Sequence, residues 1–175
     1  MSDLYKKIVS ERSGLEKIIA KIPGFRGYKE MSARREADKL IREHVVRLLK
    51  DQMANLVSVE KKMINAGGLA LVGKVKSAKT SFQTFIDRVN TAAPGYSGFY
   101  AAIKVESADL DKIYAFDAAL VNYVDQFRET IAVLENAVVA KDQEKMGTGI
   151  AALEELAQEA NTAFGMRDEI VTGIA

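Results

Sequence analysis

The stretch LDKIYAFDAALVNYVDQFRETIAVLENAV, residues 110–138, decides the class of this chain. Its apolar positions Leu110, Ile113, Leu120, Val124, Phe127, Ile131, Leu134 and Val138, with Asp117 among them, recur at alternating steps of three and four. Only an α-helix brings residues so spaced onto one face, because its side chains repeat every 3.6 residues. A strand would need strict alternation, and no segment of the chain supplies it. Steps of three and four also mark the seams of helical bundles with crossing angles near +20°. Ser107 stands as N-cap before this helix, and Asp109 and Asp111 lie in its first turn, where the helix dipole favours negative charge.

Outward from this stretch the same period recurs. Asp142 caps a following helix over about residues 143–172, with the stripe Met146, Ile150, Leu153, Ala157, Ala160, Phe164 and Val171. Upstream, Val72, Val75, Phe82, Ile86 and Val89 mark a helix over about 69–92 that Pro94-Gly95 closes. A longer helix over about 29–65 carries Ala37, Ile41, Val45, Leu48, Leu56, Val59 and Met63 and ends at Gly67-Gly68. A first helix over about 3–21 stops at Pro23-Gly24. Residues 94–106, with three aromatics at Tyr96, Phe99 and Tyr100 and glycines at Gly95 and Gly98, read as a short ordered loop. The expected fold is all-α: one domain over 1–175, built as an antiparallel bundle of four to five long helices.

Composition narrows the chemistry. The chain has 175 residues, no Cys and one His, which removes disulfides, thiolate chemistry and any multi-histidine metal centre within one chain. The Glu-x-x-His pattern of di-iron bundles is absent, since Ile41 stands three residues before His44. No run approaches the 18 or so apolar residues of a membrane span, and the N-terminus lacks the layout of a signal peptide; the expected location is the cytoplasm. No cofactor, metal ligand set or catalytic residue is expected, and an enzyme is the disfavoured reading.

Two nucleotide-like motifs fail on context. Gly68-Leu69-Ala70-Leu71-Val72-Gly73-Lys74 fits seven positions of a P-loop, but Val75 replaces the Mg²⁺-binding hydroxyl and a helix precedes it. Gly147-Thr148-Gly149-Ile150-Ala151-Ala152 fits G-x-G-x-x-A without the strand that must come before it. Small residues near a helix start, allowing close helix packing, explain the second match more simply.

Charge is unevenly placed. Residues 1–91 hold 19 Lys and Arg against 10 Asp and Glu, whereas residues 92–175 hold 6 against 14. Basic helices packed beside acidic ones account for this split, and the near-zero net charge makes nucleic acid a poor expected partner. The turn from Pro23 into the next helix is the most distinctive local feature. There Arg26, Lys29, Arg34 and Arg35 cluster at a helix start that already favours anions, and form a candidate anion site. Asp117 interrupts the apolar stripe of residues 110–138, so it calls for a cationic or donor partner, with His44, Arg42 or Arg35 the candidates. The functional expectation is a non-enzymatic interaction or scaffold protein that binds a protein partner or a second copy of itself. The alternative is a module for phosphate-bearing ligands or anionic membrane surfaces through residues 26–35.

Overall fold

A computed structural model of the chain describes the backbone of residues 31–92 and 107–173, and the side chains of residues 42–92 and 120–166. Four α-helices pack against one another: α1 (Met31–Asn65), α2 (Val72–Thr91), α3 (Ser107–Val139) and α4 (Gln143–Gly173). No strand occurs among the described residues. The all-α bundle is therefore as expected, with four helices described rather than four to five. The helix expected over 3–21 and the loop expected over 94–106 lie outside the described residues.

The helix ends follow from local chemistry. α1 contains neither Pro nor Gly over 35 residues, about 52 Å at 1.5 Å per residue. It stops where Gly67 adopts φ +91°, a left-handed conformation that glycine enters without a Cβ penalty. Where the sequence suggests a helix starting at 69, residues Gly68–Leu71 instead form one 3₁₀ turn before α2. That tight turn reverses the chain within six residues. At the other turn, Asp142 N–H donates to Ala137 O at 3.0 Å and Lys141 N–H to Val138 O at 3.1 Å, with Lys141 at φ 55°. This is a Schellman-type end with Lys in the place usually given to glycine. Asp142 Oδ1 then accepts the Lys145 N–H at 3.0 Å and so caps α4. Its carboxyl is held below the usual range, first by that backbone N–H and then by the Lys145 side chain.

Short turns make α1–α2 and α3–α4 two antiparallel hairpins. The hairpins then pack side by side: α1 lies against α2 and α3, and α4 lies against α2 and α3. Lys79 Nζ donates to Glu60 Oε2 at 2.6 Å within the first hairpin. Across the hairpins, Lys62 of α1 meets Glu135 of α3 at 2.6 Å near the turns. Ser77 Oγ of α2 donates to Glu154 Oε1 of α4 at 2.6 Å, and Asn161 Nδ2, further along α4, donates to Ser81 O at 2.9 Å. Both positions advance in the same direction, so the neighbours across hairpins run parallel. Consecutive helices are antiparallel; lateral ones are not.

The core runs along the axis. α1 contributes Val45, Leu49, Leu56, Val59 and Met63, all fully or almost fully buried. Its middle is an aromatic layer from the other three helices. Phe82 and Phe127 stack with centroids 3.9 Å apart, and Phe85 meets the edges of Tyr123 at 5.8 Å and Phe164 at 6.3 Å. Such pairs add about 0.5–1.5 kcal/mol each beyond burial alone. On α4 the expected stripe Met146, Ile150, Leu153, Ala157, Ala160 and Phe164 is buried throughout.

Candidate functional site

Both nucleotide-like motifs lie in frameworks that cannot serve them. Gly68–Lys74 spans the 3₁₀ turn and the start of α2 after a helix, and Gly147–Ala152 lies inside α4. Gly149 instead permits close packing: a Cβ there would sit 3.3 Å from Leu134 Cδ1 and 3.4 Å from its Cα. Among the described residues, no group of three His, Asp or Glu side chains converges as metal ligands.

The expected anion site divides at the boundary of the described residues. Arg26 and Lys29 lie outside them; Arg34 and Arg35 fall in the backbone of α1, with side chains outside the described set. The same holds for Asp117 in α3. Of its candidate partners, His44 is half-buried on α1 and has its Nδ1 2.9 Å from Arg47 Nη2. Arg47 has only donors, so Nδ1 accepts and the neutral ring carries its proton on Nε2. Burial first and the Arg47 charge second lower the His44 pKa, which keeps that neutral form in place. Arg42 is 6% exposed, and its Nη1 donates to Ala92 O at the end of α2. A charge so buried is retained only where it is satisfied, and here it ties the last turn of α2 to α1.

A polar seam between α2 and α4 is the second arrangement that sequence periodicity does not reveal. Arg88 Nη1 donates to Asn161 O at 2.8 Å while its guanidinium lies 5.7 Å from the Phe164 ring centroid. Asn161 Nδ2 donates to both Ser81 O and Ala157 O, at 2.9 and 2.8 Å. These bonds fix the register of two parallel helices.

Tyr123 is the strongly perturbed titratable group among the described residues. It is 5% exposed, and burial, then the charge and hydrogen bond of Glu159, push its pKa up to about 12. The neutral phenol is thus favoured in the folded chain relative to its ordinary value near 10. The resulting stability is fully present below about pH 10 and is lost as pH rises through about 12. The linkage amounts to on the order of 2 kcal/mol. In urea titrations at pH 9 and pH 12, Tyr123→Phe should lose less stability than the native chain over that interval; parallel losses would disprove the linkage.

The hairpin-turn end carries the feature that is unusual for a packed bundle. Leu69 is 70% exposed, Val139 74% and Ile64 41%. They occupy the 3₁₀ turn, the last residue of α3 and the last turn of α1, so all three lie at one end of the molecule. Gln143 Nε2 donates to Gly67 O at 2.9 Å and locks the two turns side by side. Exposed Lys61 and Lys62 stand within three residues of Ile64 in sequence, and exposed Lys141 within two of Val139. The apolar stripes pass over this end because they describe inward faces only.

These observations define a class: a four-helix bundle of two antiparallel hairpins, with an aliphatic turn end and no helix among the described residues long and apolar enough to cross a membrane. No family model matches the chain, and no curated protein or solved structure matches it either.

Proposed function

We propose that the chain is a non-enzymatic interaction protein that presents its hairpin-turn end to a protein partner. The exposure of Leu69, Val139 and Ile64 together at that end carries the reading. Scattered single aliphatic residues are ordinary on protein surfaces, but several gathered at one end mark a contact site. The surrounding architecture suits this role. The turns are pinned by Gln143 and capped by Asp142, so the aliphatic side chains are presented on a rigid platform with little ordering cost on binding.

The test is an affinity capture from the source cell with matched baits. The native chain and a Leu69→Lys/Val139→Lys double variant are immobilised at equal density. The variant should keep its melting temperature within a few degrees, since both positions face water. It should lose the proteins retained by the native bait. An identical retained set on both baits would show that this end binds nothing.

A further inference from the structure

The ring order of the helices sorts charge as well as packing. Among residues 42–92, the described part of the α1–α2 hairpin, nine Lys and Arg stand against four Asp and Glu, a net +5. Among residues 120–166, the described part of the α3–α4 hairpin, three stand against eight, a net −5. Because α1 and α2 form one edge of the four-helix square and α3 and α4 the opposite edge, the two charges lie on opposite sides of the molecule.

Internal pairing leaves this polarity in place. The Lys79–Glu60 pair neutralises charge within the basic hairpin, and Arg128–Asp125 and Lys145–Asp142 do so within the acidic one. Lys62–Glu135 joins the two. Exposed charges such as Lys50, Lys61 and Lys76 on one hairpin and Glu129 and Glu155 on the other remain directed to solvent.

We infer that the chain associates with a second copy of itself head to tail, the basic α1–α2 side of one molecule against the acidic α3–α4 side of the next. Among the described residues every copy carries both complementary sides in equal and opposite measure, so one partner chemistry satisfies both. A polyanion or a polycation would engage one side and leave the other unmatched. Like sides repel, which disfavours a two-fold contact through either one. The contact is therefore heterologous, and such contacts add copies in a ring or row rather than stopping at two. This surface is distinct from the aliphatic turn end, so the present inference and the reading above fail independently.

The test is weight-average mass by static light scattering on the full chain. At about 0.01 M ionic strength, where charges act over about 30 Å, the mass should rise with protein concentration past twice the 19.2 kDa monomer. At about 1 M, where that range shrinks to about 3 Å, it should return to 19.2 kDa. A Lys50→Glu/Lys76→Glu variant takes the basic hairpin from +5 to +1, and a Glu129→Lys/Glu155→Lys variant takes the acidic one from −5 to −1. Each alone should stay monomeric in low salt. Mixed one to one, they keep one strong pairing, the unaltered acidic side on the unaltered basic side. The mixture should therefore stop at twice the monomer mass.

Circular dichroism melts establish that each variant is folded. If a reversal variant unfolds, the Lys50→Gln/Lys76→Gln and Glu129→Gln/Glu155→Gln pairs replace it and should lower the association in the same direction. Leu69→Lys/Val139→Lys should leave the low-salt mass unchanged. A native chain that stays at 19.2 kDa in low salt overturns the inference, as does a higher mass that survives both salt and charge reversal. So does a mixture of the two variants that remains monomeric.

Discussion

Phe127→Ala is expected to lower the unfolding free energy by about 3–5 kcal/mol. Phe127 is fully buried, stacked 3.9 Å from Phe82 and 6.0 Å from Phe85. Truncation removes the apolar area of the ring and leaves a cavity between α2 and α3. The surroundings cannot easily collapse into it. Phe82 and Phe85 belong to one helix, and that helix is held to α4 by the Arg88, Asn161 and Ser81 bonds. For a chain of this size, such a loss corresponds to a fall of roughly 6–20 °C in melting temperature. Val133→Ala on the same helix, at a position 61% exposed, should change stability by about 0.5 kcal/mol or less. A urea midpoint for Phe127→Ala close to that control would mean that the aromatic layer does not hold the bundle together.

The second large effect is at Gly68. A Cβ there would lie 2.5 Å from Met63 Cγ and 3.0 Å from Met63 O, with Met146 Sδ at 3.4 Å. Met63 and Met146 are both fully buried, so neither side chain can retreat into solvent, and the backbone oxygen belongs to the last turns of α1. Gly68→Ala should therefore cost about 1–3 kcal/mol by overpacking. Two other glycines calibrate the result. Gly147→Ala meets nothing within 4 Å inside α4 and should stabilise by about 0.5–1 kcal/mol through helix propensity. Gly149→Ala combines the same propensity gain with a tight approach to Leu134 and should fall between them. Equal effects at all three positions would show that turn packing, as described around Gly68, is not what limits substitution.

These glycines show how differently local and tertiary signals read. Gly67 ends α1 through its own backbone freedom, which the Gly-Gly pair announces in the sequence. Gly68 and Gly149 matter because of Met63 and Leu134, which lie on other turns and helices. The aromatic layer is a similar case. Phe82 and Phe127 sit on the apolar stripes, whereas Phe85 stands one position off its stripe. It is buried because α2 has neighbours on two sides, α1 and α4, and so hides a wider face than one seam. Tyr123 beside Val124 is buried for the same reason. The aliphatic turn end was not legible at all, since periodicity names the faces that helices hide and is silent about residues at their tips.

What the sequence by itself determined is what nearest neighbours along the chain control. The three-four spacing set the helices, glycine and aspartate set their ends, and turns of a few residues made two antiparallel hairpins. Ring order is of another kind. The same stripes would suit consecutive helices placed around a square or two hairpins laid side by side, because a stripe says that a face is buried and not against what. Only the tertiary structure decided that α1 lies beside α3 and α2 beside α4, through contacts such as Lys62 with Glu135 for the first pair and the bonds of Ser77, Arg88 and Asn161 for the second. That choice turned a charge difference along the chain into a charge difference across the molecule.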